Sequence, residues 1–318
     1  MTMARVLQGL TLALAASGLL ALAGWLWWGL AAWLAFGLLL LALLHLPLMA
    51  TEFAMARWVS RGDPSPPPRA GEVLRAWAAE VIGAVRVFGW AMPWRWRRFP
   101  DHLPHDAAGR RGLVLVHGFV CNRGIWNPWW PRLRALGVPC IAVNLEPVFG
   151  TLERYPAQIE AAVLRLERAT GQPPLLVAHS MGGLVVRAWM RECSGASRVH
   201  GVVTIGTPHQ GTWLARFGYA PNTQQMRRDS RWLQTLAVGE PAGCYRGFTC
   251  FWSHCDNIVF PASTATLPGA DNRHLRAHAH VHMLRHPDVL ATVLQRLAEP
   301  AGTQPRAAPL PEQACRPA

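Results

Sequence analysis

In the stretch LLVAHSMGG, residues 175–183, a serine follows an apolar run and precedes paired glycines. A serine hydroxyl is a poor nucleophile at neutral pH and needs an adjacent base. A tight turn from a buried strand into a helix would lift Ser180 above a sheet, and the helix start would favour negative charge developing beside it. Such a turn accepts only small residues two positions before and after the serine, because larger side chains collide across it. Ala178 and Gly182 meet that condition, although alanine stands where the usual pattern has glycine. Gly183 then lets the helix lie close to the sheet. The competing role is a serine that merely caps a helix. The stretch LVLVHGF, residues 113–119, favours the chemical role. A tetrahedral oxyanion needs two backbone N–H donors, one from the residue after the nucleophile and one from a loop after an apolar strand. Met181 and Phe119 are those residues, with His117 a structural hydrogen-bonder for the loop.

Taken in order, VLVHGF, VAHSMGG, VVTIGTPHQGT and CDNIV resemble the α/β-hydrolase lipases and esterases of bacteria, over about residues 112–298. A subset of small bacterial lipases carries alanine at the first glycine of the serine pentapeptide, as Ala178 does here. The resemblance implies an α/β fold with a mostly parallel sheet and helices on both faces. It also implies the order nucleophile, acid, histidine at the ends of successive strands. The acid is then Asp256, which follows the apolar run FTCFW. Its rivals fall in a Pro/Gly-rich loop (Asp271) and in the last helix (Asp288). An aspartate at that strand end can orient an imidazole and stabilise its charged form. The family's histidine follows a small residue and precedes an apolar run, which favours His280, with His282 as the alternative base on the same face of an extended segment. His278, His280 and His282 could instead converge on a metal, but the position lacks the sheet context that arrangement needs, so no metal and no cofactor is expected.

The implied reaction is hydrolysis of carboxylic esters through an acyl-enzyme on Ser180, Asp256 and His280. Acyl transfer or thioester cleavage would use the same machinery. A catalytically silent membrane scaffold is the reading from another class, and the intact triad argues against it.

The elements that must position these residues are legible as short apolar runs alternating with amphipathic segments. Residues 113–117, 139–145, 175–179, 201–206 and 247–252 read as strands, with a last short strand near Leu275–His280. Helices are expected over Gln158–Ala169, Gly182–Glu192 and Pro287–Leu297. Such alternation predicts a parallel sheet covered on both faces. The hydrolase domain is placed at 112–299, with a lid-like insertion at about 211–243. In that insertion Leu214, Phe217, Met226 and Trp232 could line a substrate pocket, and Trp126, Trp129 and Trp130 could line its mouth. Residues 51–111 read as a linker with one amphipathic helix, Glu72–Phe88, whose apolar positions Val73, Trp77, Val81, Val85 and Phe88 recur at helical spacing. The tail at 300–318 is expected to be disordered.

Ahead of all this, no Asp, Glu, Lys or Arg occurs between Val6 and Thr51. As one helix that run would span about 69 Å, more than twice a ~30 Å hydrocarbon core. Two spans, about Leu7–Leu22 and Leu26–Pro47, fit better, so residues 1–50 read as a transmembrane hairpin turning near Gly24 or Gly29. Trp25, Trp27, Trp28 and Trp33 near the turn suit an interfacial belt. Arg5, the apolar stretch and Ala21-Leu22-Ala23 also resemble a signal peptide, but a second apolar segment follows at once. Arg57, Arg61, Arg69 and Arg75 follow the spans against Arg5 alone before them, which predicts a bacterial inner-membrane protein with its catalytic part in the cytoplasm. The net charge of +13 is carried by arginine alone. The arginines are scattered and form no nucleic-acid module; the densest stretch, WAMPWRWRRFP at 90–100, suits an anionic membrane surface. The expected partners are therefore a membrane and a lipid or other apolar ester. The seven cysteines are irregularly spaced and contain no C-x-x-C; Cys244, Cys250 and Cys255 are near enough for one pair to bridge in an oxidising compartment.

Overall fold

The computed structural model describes residues 2–27, 34, 37, 39, 43–193, 198–241 and 243–300. Most of the expected second span, with Trp28, Gly29 and Trp33, and the tail beyond residue 300 lie outside the described residues.

Strands β1 (Leu113–Val116), β2 (Cys140–Ala142), β3 (Leu175–His179), β4 (Gly201–Ile205), β5 (Phe248–Trp252) and β6 (Asp271–His274) form one parallel sheet in the order β2-β1-β3-β4-β5-β6. The first four are apolar at nearly every position because both faces are covered, as parallel sheets require. Alternate residues serve alternate faces. Val114, Val116, Leu176, Ala178 and Val202 pack under α5 (Pro156–Thr170) and α6 (Met181–Glu192). Leu113, Leu115, Val177, Val203 and Ile205 pack on the opposite side against α9 (Pro287–Ala298). Helix α5 opens on Pro156 and stops at Gly171, whose φ of 65° only glycine adopts cheaply.

The last strand lies earlier than the sequence suggests. It is Asp271–His274, and residues 275–281 form turns instead of continuing the ladder. Being an edge strand with largely exposed polar side chains, β6 carries no apolar signature; the Leu275 N–H bond to Trp252 O marks its end. The histidines therefore do not alternate along an extended segment.

Between β4 and β5 lie the 3-10 turn Trp213–Phe217 and the short helices α7 (Pro221–Gln225) and α8 (Arg231–Val238). This segment is tied down by a buried bidentate pair, with Arg187 Nε and Nη2 donating to Glu240 at 2.8 and 2.6 Å. Removing one partner strands a buried charge. Arg187→Leu should therefore destabilise the fold by about 3–5 kcal/mol, lowering the melting midpoint by roughly 10 °C; an unchanged midpoint would mean that water reaches Glu240.

Helix α1 (Met3–Trp27) runs unbroken through Gly24, where a turn was expected. Its first turns are buried, Met3 and Leu7 packing with Val87 and Met92, while Gln8 Nε2 donates to Pro93 O at 2.7 Å. Helices α2 (His45–Val59), α3 (Ala70–Arg86) and, after β1, α4 (Trp130–Ala135) follow. Phe53 of α2 and Ala76 of α3 pack with Cys255 and Ala279 of the sheet domain. The segment read as a linker thus supplies more than the one helix expected of it. Of the apolar positions expected to pack, Val73 and Trp77 do so against the cluster of Phe53 and Ala76, and Phe88 packs against the cluster of Met3 and Leu7, but Val85 is exposed and two acids lie inside. Glu72, Ala76, Glu80 and Gly83 are buried, whereas Leu74, Ile82 and Val85 are more than half exposed. Cys244, Cys250 and Cys255 are free thiols.

Candidate active site

Ser180 occupies the turn between β3 and α6 with φ 56° and ψ −132°. A non-glycine residue held there is strained, and such residues concentrate at functional sites. The turn is over-determined. Ser180 N–H donates to Ile205 O at 2.9 Å, and Ser180 O accepts from Gly183 N–H at 3.0 Å and from the Thr207 hydroxyl at 2.8 Å. A Cβ on Gly182 would stand 2.7 Å from His117 O and 2.8 Å from Val116 O, so glycine is obligatory. Ala178, fully buried, is accommodated in place of the usual glycine.

The β1 loop lies directly against Ser180, since a Cβ on Gly118 would be 2.6 Å from Ser180 Cβ and 3.2 Å from its Oγ. His117 fastens this loop. Leu145 N–H donates to His117 Nε2 at 2.9 Å, so the ring proton is on Nδ1, which donates to Gly118 O at 2.8 Å. Burial pushes His117 down to about 4, so the ring is a neutral strut. Among the described residues, the N–H groups of Phe119 and Met181 donate to no protein acceptor, and both residues border the turn that carries Ser180.

Asp256 and His280 come together beyond β5 and β6. His280 Nδ1 lies 2.9 Å from Asp256 Oδ2 and 3.1 Å from Oδ1, and Oδ1 also accepts the N–H groups of Ile258 and Val259 at 2.8 Å each. An ionised carboxylate accepts from Nδ1, which leaves Nε2 unprotonated and able to act as a base. Burial is the largest influence and favours the neutral imidazole, but the charge and hydrogen bond of Asp256, together with the carboxylates of Glu80 and Glu52, outweigh it and hold the His280 pKa above its ordinary value. The His280 ring centroid is 4.7 Å from that of His179, the residue before Ser180. Every ring hydrogen bond of His280 among the described residues goes to Asp256; the hydroxyl–imidazole link of such sites often closes only with substrate present. At Gly206, φ 56°, a Cβ would sit 3.1 Å from both Asp256 Oδ2 and His280 Nδ1, so only glycine leaves the pair undisturbed.

His282, the alternative base, faces elsewhere. It opens the 3-10 turn His282–Arg285 and stacks on His278 at 4.3 Å, and burial pushes it down to about 4. His286 meets His278 edge-on at 4.6 Å. His280 is thus directed to Asp256, away from the stacked His278 and His282 that the rejected metal reading grouped with it.

Three residues absent from the sequence reading surround the His280 loop. Asn257 Oδ1 accepts the His280 N–H at 3.3 Å, and its Nδ2 donates to Glu52 Oε2 at 2.8 Å. Glu80 accepts the N–H groups of Val281 and His282 at 2.8 and 2.9 Å. Burial raises Glu52 above the usual carboxylate range and Glu80 to about 7. A lone acid in the apolar run AAEVIGAV was the available signal for Glu80.

The residues read as pocket walls divide. Met226 is buried and Trp232 half-buried in the cluster that also holds Met181, with Phe119 packed against it. Leu214 is half-buried in the turn after Thr212, and Phe217 is exposed with its ring edge-on to Trp213. Trp126 is placed differently. It is fully buried in the opposite cluster with Trp129 and Trp130, because Asn122, which caps its turn, donates to Met92 O and draws the turn against the N-terminal helices. It therefore lines no mouth.

The model of the alpha/beta hydrolase family matches residues 113–311. No curated protein matches the chain. Among solved structures, the mature form of Bacillus licheniformis lipase BlEst2 is similar with a TM-score of 0.52 and 15% identity, over 62% of this chain and 96% of that one. Aspergillus fumigatus lipase B is similar with a TM-score of 0.53 and 18% identity, over 64% of this chain and 57% of that one. At such identities the likeness is one of fold. Because the matched stretch runs from β1 through α9, the chain belongs to the alpha/beta hydrolase family.

Proposed function

We propose that the chain is a membrane-anchored serine hydrolase that cleaves carboxylic esters, with lipid or other apolar esters as substrates. The observation that carries this reading is the His280–Asp256 pair set beside a serine held at φ 56° on a strand-to-helix turn. In the first half-reaction Ser180 Oγ bonds to the ester carbonyl carbon as His280 Nε2 takes the hydroxyl proton. The carbonyl π electrons move onto oxygen, where the N–H groups of Phe119 and Met181 receive the charge. The tetrahedral species then breaks its bond to the alcohol, which leaves with the proton from His280. Water, deprotonated by the same nitrogen, attacks the acyl-enzyme and releases the acid and Ser180. Asp256 fixes the ring and stabilises its charged form throughout.

The anchor is supported by α1, which is long and apolar enough to cross a membrane, with only 17% of its apolar window buried. Its start is pinned beside the 90–98 stretch by Gln8 and Pro93. There Trp90 and Trp94 are exposed, and guanidinium groups lie over the rings of Trp90 (Arg95, 5.6 Å) and Trp96 (Arg97, 4.4 Å). Exposed indoles among arginines suit the headgroup level of an anionic leaflet. The outward aliphatic stripe of α3 suits the same surface. If α1 crosses while its start is held on the catalytic unit, a second crossing is required before α2, which packs on that unit too. The hairpin therefore belongs to this proposal, and the arginine bias after it puts the catalytic unit in the cytoplasm of a bacterial cell.

A series of p-nitrophenyl esters of increasing chain length, assayed with and without anionic vesicles, tests the substrate class. Long-chain esters should be turned over, with a rate at least about tenfold higher when vesicles are present. Cleavage of acetate with no long-chain turnover in either condition would reduce the proposal to a general esterase.

A further inference from the structure

We propose that the helices ahead of the matched family region are part of the catalytic apparatus, with Glu80 of α3 as a positioning residue for His280. This inference rests on the hydrolase reading of Ser180, Asp256 and His280. The family match begins at residue 113, so neither Glu80 nor Glu52 belongs to it. Each nevertheless reaches the catalytic loops across more than two hundred residues of chain. Glu80 spans two consecutive N–H groups, Val281 at 2.8 Å and His282 at 2.9 Å, and so clamps the backbone that follows His280. Glu52 of α2 holds Asn257, which in turn holds the His280 N–H and follows Asp256 in sequence. The histidine loop is thereby fixed from both sides of the ring it carries. Such loop positioning matters because small displacements of a general base cost large factors in rate.

Beside the inward Val73 and Trp77, the same helix face also buries acids, which ordinary amphipathic logic would leave outside. Helix α3 turns Glu72 and Glu80 inward and leaves Leu74, Ile82 and Val85 exposed. Burying a carboxylate is costly unless its partners are well arranged, and Glu80 is 3% exposed. Its partners are the loop of the catalytic histidine, so the helix is shaped to serve that loop.

A charge this close also acts on the ring. The groups facing His280 are Asp256 from the β5 loop, Glu80 from α3, Glu52 from α2 and His179 from β3. His179 is neutral, since burial and the His280 charge hold it well below its usual pKa. Asp256 is the strongest of the charges favouring imidazolium, and Glu80 and Glu52 add to it. Glu80, raised to about 7, ionises over the same range in which His280 loses its proton, so replacing it lowers the pH at which His280 becomes a free base by the part of that charge present there.

The test is the pH profile of the full chain carrying Glu80→Gln, read with a short p-nitrophenyl ester. The amide offers one acceptor where the carboxylate offers two, and turns a donor toward the second N–H. The expected result is a kcat about tenfold lower, KM within about twofold, and an acid limb of kcat/KM moved down by about half a pH unit. Glu80→Asp, which keeps the charge on a shorter stem, should lower kcat severalfold and leave the limb in place. It also stands as the second variant if Glu80→Gln does not fold. Wild-type kcat and an unmoved limb in Glu80→Gln would overturn the proposal. So would a loss of activity tracking thermal stability with the limb unmoved, or a limb shifted equally by Glu80→Asp. If wild type itself neither turns over the ester nor reacts at Ser180, the hydrolase reading fails instead, and the two failures are distinct.

Discussion

Replacing Asp256 with asparagine is expected to lower kcat for a short p-nitrophenyl ester by about 10³–10⁴-fold while leaving KM nearly unchanged. The reason lies in where the two oxygens point. Oδ1 takes the Ile258 and Val259 N–H groups at 2.8 Å, and Oδ2 takes His280 Nδ1 at 2.9 Å. Asparagine keeps its oxygen on the two backbone donors and turns its NH₂ toward the ring. That forces Nδ1 to accept, moves the ring proton to Nε2, and leaves no basic nitrogen for the Ser180 hydroxyl. The fold should survive, because the backbone bonds of the loop are retained. The wild-type pH profile carries a matching signature. Against burial, the charge and hydrogen bond of Asp256 and the carboxylates of Glu80 and Glu52 together raise His280, so the acid limb of kcat/KM should lie above the ordinary imidazole value of 6.5. A fall of less than tenfold in the asparagine variant, or an acid limb well below 6.5 in wild type, would remove Asp256 from the role assigned to it.

The second large effect is expected from a single methyl group. Gly182→Ala places a Cβ 2.7 Å from His117 O and 2.8 Å from Val116 O, both backbone atoms of β1 and the loop after it. Neither can rotate away. The turn must open, which displaces Met181 N–H from the oxyanion and Ser180 from its strained φ. Loss of one oxyanion donor costs about 10²–10³-fold in kcat, and the forced fit adds an overpacking cost of about 1–3 kcal/mol to stability. Steady-state kinetics and thermal melts on the purified variant check both. Near-wild-type kcat would show that the turn relaxes without moving its donors.

These two positions also mark how far the sequence could be read. The buried strands were legible because a parallel sheet covered on both faces needs unbroken apolar runs, and LVLV, LLVAH and GVVTI have them. The polar edge strand Asp271–His274 has no such run, so its place was misjudged by several residues, and with it the supposed alternation of the histidines. The partnership of His280 with Asp256 was anticipated through family resemblance and not through local pattern. Glu52 and Glu80 escaped because helical periodicity assigns apolar residues to the inside, and Asn257 because it lies in a bend with no periodic pattern. In α3 the inward face carries Glu80 because the N–H groups of Val281 and His282 require acceptors there. Trp126 was misplaced for a related reason: a tryptophan after the oxyanion loop looks like a rim residue until Asn122 and Met92 draw its turn into the core. Contacts between segments far apart in sequence leave little trace in either one alone.

The central claim is that Ser180 is a nucleophile activated by His280. Incubating the full chain with a fluorophosphonate probe, followed by peptide mapping, measures this directly. One covalent adduct per chain, located on Ser180, lost in Ser180→Ala and formed far more slowly in His280→Ala, is the expected result. Equal labelling of wild type and Ser180→Ala, or labelling of Ser180 at the same rate without His280, would contradict it.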